Sequence, residues 1–195
     1  MRFVWWAGEE LGLLGSSAYV AGLSDAELDH VVAYVNADMI GSPNAVVSVY
    51  DGRTDLEASG RPGPPGVPAL SPVIEAVLTE QGVPFETSEL DGRSDHLAFA
   101  AAGIPSGGVF TGARELKSPD QAARLGGVAN APMDPCYHQA CDSLAASAQP
   151  GGPADPGGTV GLLGNVDLTV LDAVADALAT VAVRLAADPG LLGTG

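Results

Sequence analysis

The chain has 195 residues, 46% of them hydrophobic, enough for a single domain with a sizeable core and too apolar for a disordered segment. Eight basic residues, one of them lysine, face 24 acidic ones for a formal net charge of −16, which argues against nucleic acid or anionic membrane as partners because phosphate binding needs clustered Lys and Arg. No apolar run reaches the roughly 20 residues that cross a bilayer, and MRFVWWAGEE breaks at Gly8-Glu9-Glu10, too early for a signal peptide.

RFVWW is continuously apolar and β-rich, the pattern of a strand buried on both faces. EELGLLGSSAYVAGL reads as a helix with Leu11, Leu14, Ala18 and Ala21 as its inner stripe. Ser24 to Glu27, SDAE, has capping-box spacing and starts a short helix. HVVAYVNADMIG reads as a second buried strand ending at Asp38, and AVVSVY as a third. Residues 59–69 and 149–164, rich in Pro and Gly, read as loop insertions.

SPVIEAVLTEQG is a helix stopped by Gly82, VPFETSEL an edge strand, DGRSDHLAFAAAG a loop entering a short helix, and IPSGGVFTG a further strand. Residues 112–164 read as irregular. The chain closes with a helix whose apolar face is Leu168, Leu171, Val174, Ala175, Leu178, Val181, Ala182 and Leu185, stopped at Pro189-Gly190. Strands alternating with helices predict an α/β fold with a mostly parallel, mixed sheet flanked by helices.

In such sheets functional residues gather at the carboxyl ends of strands. Glu9 and Glu10 follow one expected strand and Asp38 ends another, so three acids converge on one rim. Adjacent acids at a strand-to-helix turn can point apart, one ligating a metal and the other taking a proton from water. Acids in the first turn of a helix are also ordinary, because the dipole favours them. Asp38 reads equally as ligand or turn residue. Beside His96 stands Asp95, a residue that can anchor a backbone group, orient a loop or tune a metal ligand from outside its coordination shell, and His30 reads as a surface residue. CYHQAC holds the only cysteines, Cys136 and Cys141, around Tyr137 and His138; two thiols, a metal pair and a small-loop disulfide all fit that spacing. No G-x-S-x-G or G-x-x-x-x-G-K-[ST] motif occurs.

Five stretches in order, RFVWWAGEELGLLGS, VNADMIGSPN, DGRSDH, GGVFTGA and CYHQACDSL, resemble the secreted bacterial dizinc aminopeptidases of the leucyl-aminopeptidase (aminopeptidase S) type, from residue 2 to about 185. The resemblance implies Glu9 as general base, Glu10 and His138 as ligands of one zinc, and Asp38 as ligand of a second. It implies Tyr137 as the group that polarises the substrate carbonyl and a Cys136–Cys141 disulfide. Met39, Gly92 and Phe110 match the pocket for a large apolar N-terminal side chain, and Arg93 a substrate-contacting arginine. Asp172 and Asp176 match carboxylates of a calcium site in some relatives, though their i, i+4 spacing suits a solvated helix face as well.

The resemblance implies peptide substrates with a free N-terminus, secretion, and a monomer for the complete protein. It spans the C-terminal portion of the family pattern. The H-x-D ligand segment and the aspartate that bridges the two metals have no counterpart here, so the N-terminal strands of the fold are expected to be missing. At most one weakly held zinc is expected of this chain alone, which is expected to be inactive. A non-catalytic remnant or binding module that keeps the fold is the second reading, and a single-metal hydrolase of altered specificity the third.

Overall fold

The computed structural model describes residues 1–51, 69–90, 92–143 and 162–193. The expected 59–69 loop lies outside the described residues except at Ala69, as does the 149–164 loop except at its last three positions.

A four-stranded sheet organises the fold, from β1 (Tyr34–Ala37), β2 (Ser48–Asp51), β3 (Glu86–Glu89) and β4 (Ser106–Phe110). The spatial order is β1-β4-β2-β3. β1 runs parallel to β4 and β2 parallel to β3, while β2 and β4 pair antiparallel, so the sheet is mixed as expected. The β1–β4 pairing sets Asn36 opposite Gly108, where a Cβ on Gly108 would stand 2.1 Å from the Asn36 carbonyl oxygen. Only glycine allows that approach.

Two helices, α3 (Leu70–Gln81) and α6 (Leu168–Ala187), pack on each other and cover one face. Leu70, Ile74 and Val77 of α3 meet Val174, Ala177 and Val181 of α6 over Val49 and Val109, all fully buried. Each Leu, Ile or Val among them contributes roughly 1.5–3 kcal/mol of transfer free energy. The inner face of α6 differs from expectation at Leu168 and Ala175, which are exposed, and at Ala177, which is buried. Gly82 caps α3 in the left-handed conformation, as its position predicts.

The opposite face carries α1 (Leu14–Ala21) and α4 (His96–Ala101), and α2 (Asp25–Leu28) follows α1 in the chain. The Ser24–Glu27 capping box that begins α2 is present. Tyr34 of β1 stacks on Phe99 at 4.0 Å between ring centroids, and Trp6 and Tyr19 complete an aromatic cluster.

Three expectations are corrected. RFVWW is not a strand; Phe3 and Trp5 are 74% and 88% exposed, because no described strand pairs with it and an apolar run alone supplies no ladder of hydrogen bonds. The expected helix after it splits into a 3₁₀ turn, Glu9–Leu11, and α1. Gly12 and Leu13 between them adopt positive φ, 95° and 58°, which rotates the helical face. Leu13 and Ser16 are therefore buried, while Leu11, Leu14, Ala18 and Ala21 are exposed. The 112–164 stretch is not wholly irregular. It contains α5 (Pro119–Leu125), and its end begins a small antiparallel hairpin, β5 (Leu162–Leu163) and β6 (Val166–Asp167). Ser118 and Gln121 form a capping box around Pro119 in α5, a start signal readable in the sequence.

Candidate active site

Four segments converge on one open cleft of about 1470 Å³. The Glu9–Leu11 turn brings Glu9 and Glu10, the end of β1 brings Asp38 and Met39, the loop before α4 brings Gly92 and Arg93, and the disulfide loop brings Tyr137 and His138. Phe110, the last residue of β4, lines it too. All nine of these expected site residues thus share one cavity, although they span 130 positions of sequence.

Cys136 and Cys141 are bonded, with Cα atoms 5.4 Å apart. The closed loop holds His138 at φ +57°, and its ring stacks on Tyr137 at 3.9 Å between centroids. His138 Nε2 lies 2.5 Å from Glu10 Oε1, the contact that joins the first and fourth segments. Of the four non-glycine residues with positive φ among the described residues, Leu13, Met39 and His138 line the cleft. Strain of about 1–3 kcal/mol at such a residue persists where the surroundings enforce it, and it gathers at functional sites.

Asp38 is held by a chain of hydrogen bonds that runs back through β1. Trp6 Nε1 donates to Tyr34 Oη at 3.0 Å, and Tyr34 Oη donates to Asn36 Oδ1 at 3.0 Å. Asn36 Nδ2 then donates to Ser94 Oγ at 2.8 Å, and Ser94 Oγ to Asp38 Oδ2 at 2.7 Å. Asn36 and Ser94 are buried. Burial pushes the Tyr34 phenol up to about 12, which fixes it as a donor across the working pH range.

The cleft is strongly acidic. Partial burial raises the Glu9 carboxyl above its ordinary value, and the charges of Asp38, Glu10 and Asp95 raise it further, with His138 acting in the opposite sense. A carboxylate shifted upward is better matched to proton transfer near neutrality. The donors offered are carboxylate oxygens and an imidazole nitrogen, the set that zinc accepts. Among the described residues no three His, Cys, Asp or Glu side chains surround a single point closely enough to hold an ion as they stand. Glu10 and His138 lie in contact with each other, and Asp38 is held on its own hydrogen-bonded support.

A profile of Peptidase family M28 matches residues 1–153. The chain belongs to that family. Over 145 residues this M28 chain is 46% identical to an aminopeptidase of Pseudomonas aeruginosa, covering 74% of the chain and 27% of that relative. It is 43% identical over 145 residues to leucine aminopeptidase 2 of Trichophyton rubrum, covering 74% of the chain and 29% of the relative. A zinc aminopeptidase from Bacillus subtilis shares the fold with a TM-score of 0.57 at 24% identity, over 93% of this chain and 34% of that one. An aminopeptidase from Aneurinibacillus sp. strain AM-1 does so with a TM-score of 0.57 at 22% identity, over 92% and 32%. The M28 chain therefore spans about a quarter to a third of the length of these proteins.

Asp172 and Asp176 are exposed on α6 and do not line the cleft. His30 is exposed, and His96 is buried with its ring against Tyr50 at 4.9 Å. Sequence reasoning missed Asn36 and Ser94, although a polar residue inside YVNA is a signal that something must satisfy it. It also missed Arg114, whose guanidinium carbon lies 5.3 Å from the centre of the Tyr137 ring. Asn165 escaped it as well: Nδ2 donates at 2.7 Å to Asp134 Oδ1, which also accepts from the Cys136 N–H and so braces the disulfide loop.

Proposed function

We propose that this M28 chain carries catalytic and ligating residues of a metal-dependent aminopeptidase that releases large apolar, leucine-like residues from peptides with a free N-terminus. The observation that carries the reading is the Glu10–His138 contact at 2.5 Å, with Glu9 and Asp38 lining the same cleft. The names of the relatives support it, and so does the zinc named for the Bacillus subtilis protein.

Glu10 and His138 would hold one zinc ion and Asp38 a second. Bound zinc supplies Lewis-acid polarisation of the carbonyl and lowers the pKa of a coordinated water towards ~7. Glu9, placed beside the ligands and not among them, takes the proton from the attacking water and returns it to the leaving amine. Tyr137 donates its phenol hydrogen to the carbonyl oxygen as negative charge develops there. The disulfide and the His138 stack hold the Tyr137 ring so that this donor is preorganised. Met39, Gly92 and Phe110 form the wall against the N-terminal side chain, and Arg93 contacts substrate. Calcium at Asp172 and Asp176 rests on their match to the carboxylates of a calcium site in some relatives, and both are exposed on α6.

Two ligands on one ion leave it weakly held, so little or no turnover is expected of these 195 residues alone. The test is hydrolysis of leucine amide with added zinc, on the wild type and on Glu9→Gln. Zinc-dependent turnover lost in Glu9→Gln, with zinc binding retained, supports the reading. Turnover that survives Glu9→Gln removes Glu9 as the base. Secretion accords with the disulfide, which is stable in oxidising surroundings.

A further inference from the structure

Cations are scarce in this chain, and most of those described are tied to a partner. Arg124 pairs with Glu86 and Asp120, and Arg184 with Glu80. Buried Lys117 donates to the Gly126 carbonyl at 2.8 Å. Arg114 is the exception. It is exposed, it lines the cleft, and among the described residues its one recorded contact is the Tyr137 ring face.

The carboxylates beside it in sequence and in the cleft wall are already committed. Glu115 Oε2 accepts from the Ala113 N–H at 2.9 Å, and Asp134 Oδ1 from Cys136 and Asn165. A guanidinium laid over a ring keeps its N–H edges outward, and that planar fork matches a carboxylate. A wall crowded with acids repels an anionic ligand, and a cation with outward N–H edges such as Arg114 is where one can be held.

We propose that Arg114 is a specificity determinant that binds a carboxylate on the second residue of the substrate, the residue that leaves. The inference rests on the aminopeptidase reading for the place of the scissile carbonyl, at the Tyr137 phenol. One residue of chain spans about 3.3–3.6 Å, so a carboxylate on the next residue comes within reach of a guanidinium stacked on that same ring. Two sources offer this chemistry: the free α-carboxylate of a dipeptide, and an acidic side chain in the second position.

The experiment measures calorimetric binding of three hydrolysis-resistant probes to the full chain. They are leucyl-N-methylglycine, its C-terminal amide, and leucyl-N-methylaspartic acid blocked as its α-amide. The wild type is expected to bind the free acid about tenfold more tightly than the amide at low salt, a typical effect of one charge-assisted pair, shrinking as salt screens it. Arg114→Gln is expected to abolish the preference, and Arg114→Lys to restore part of it. Tightening confined to the free acid assigns the dipeptide carboxylate, and equal tightening of the aspartyl probe assigns the acidic side chain as well.

If Arg114 acted only by holding Tyr137, all probes would weaken together and the acid-to-amide ratio would stand. That result overturns the proposal, as does a wild type that binds neither carboxylate probe more tightly than the amide, or no binding of any probe. Leucine amide hydrolysis, measured in parallel, tests the parent reading separately. An Arg114-dependent preference beside turnover that survives Glu9→Gln would count against the parent reading alone.

Discussion

The two faces of the sheet are built on different principles. Beneath α3 and α6, Val49 and Val109 point into a layer of fully buried aliphatic side chains. On the other face, Tyr34 and Asn36 of β1 alternate with Val35, which packs against that layer, and the space is filled by aromatic rings and a line of hydrogen bonds that ends on Asp38. One face stores stability in surface removed from water. The other uses burial to keep a few polar atoms in one orientation, at the edge where β1 delivers its last residues to the cleft. A sheet can do both because successive side chains face opposite ways.

Changes that break the aliphatic layer are expected to be the largest. Ile74→Ala should cost about 2–5 kcal/mol in denaturant unfolding, from lost transfer energy and the cavity left behind, with no selective effect on the cleft. Next comes Cys136→Ser, with a loss of about 2 kcal/mol by the loop-entropy relation. It should also free His138 from its left-handed conformation, seen as weaker zinc binding. Ser94→Ala should cost about 1–2 kcal/mol, because buried Asn36 Nδ2 loses its acceptor and Asp38 its donor. Zinc affinity should fall with it, a signature that Ile74→Ala lacks.

The smallest effect lies away from both faces, where α5 docks on edge strand β3. A hydrogen bond from Gln121 holds the Glu86 carboxyl below the ordinary carboxylate range, with help from Arg124 against the opposing pull of burial. A depressed folded-state value means that the unfolded chain binds the proton more readily. Glu86 therefore contributes stability above the ordinary value of about 4.3, lost as pH falls through its lower folded value. Glu86→Gln should flatten that part of the stability–pH curve by a few tenths of a kcal/mol.

What was legible in the sequence was whatever is contiguous. GEEL, NADM and CYHQAC each carry their chemistry within a few residues, and the structure places all three in one cleft. A largely parallel sheet, with β3 at its edge, followed from alternating apolar runs and helical periods, whereas the antiparallel β2–β4 pairing leaves no such local mark. RFVWW was misread because residue type reports fitness for a strand, while pairing depends on a neighbour elsewhere in the chain. The inner face of α1 was misread because two residues with positive φ, Gly12 and Leu13, shift the helical phase. Ser94 and Asn36 lie 58 residues apart, and Arg114 and Tyr137 meet only across a fold in the chain. No local pattern encodes such pairs.

The central claim is that Glu10 and His138 form a zinc half-site. Zinc titration of the purified chain by calorimetry, beside Glu10→Ala and His138→Ala, tests it most directly. The account predicts weak, saturable binding by the wild type, lost in either variant while the fold is retained by circular dichroism. Zinc binding unchanged in both variants would contradict it.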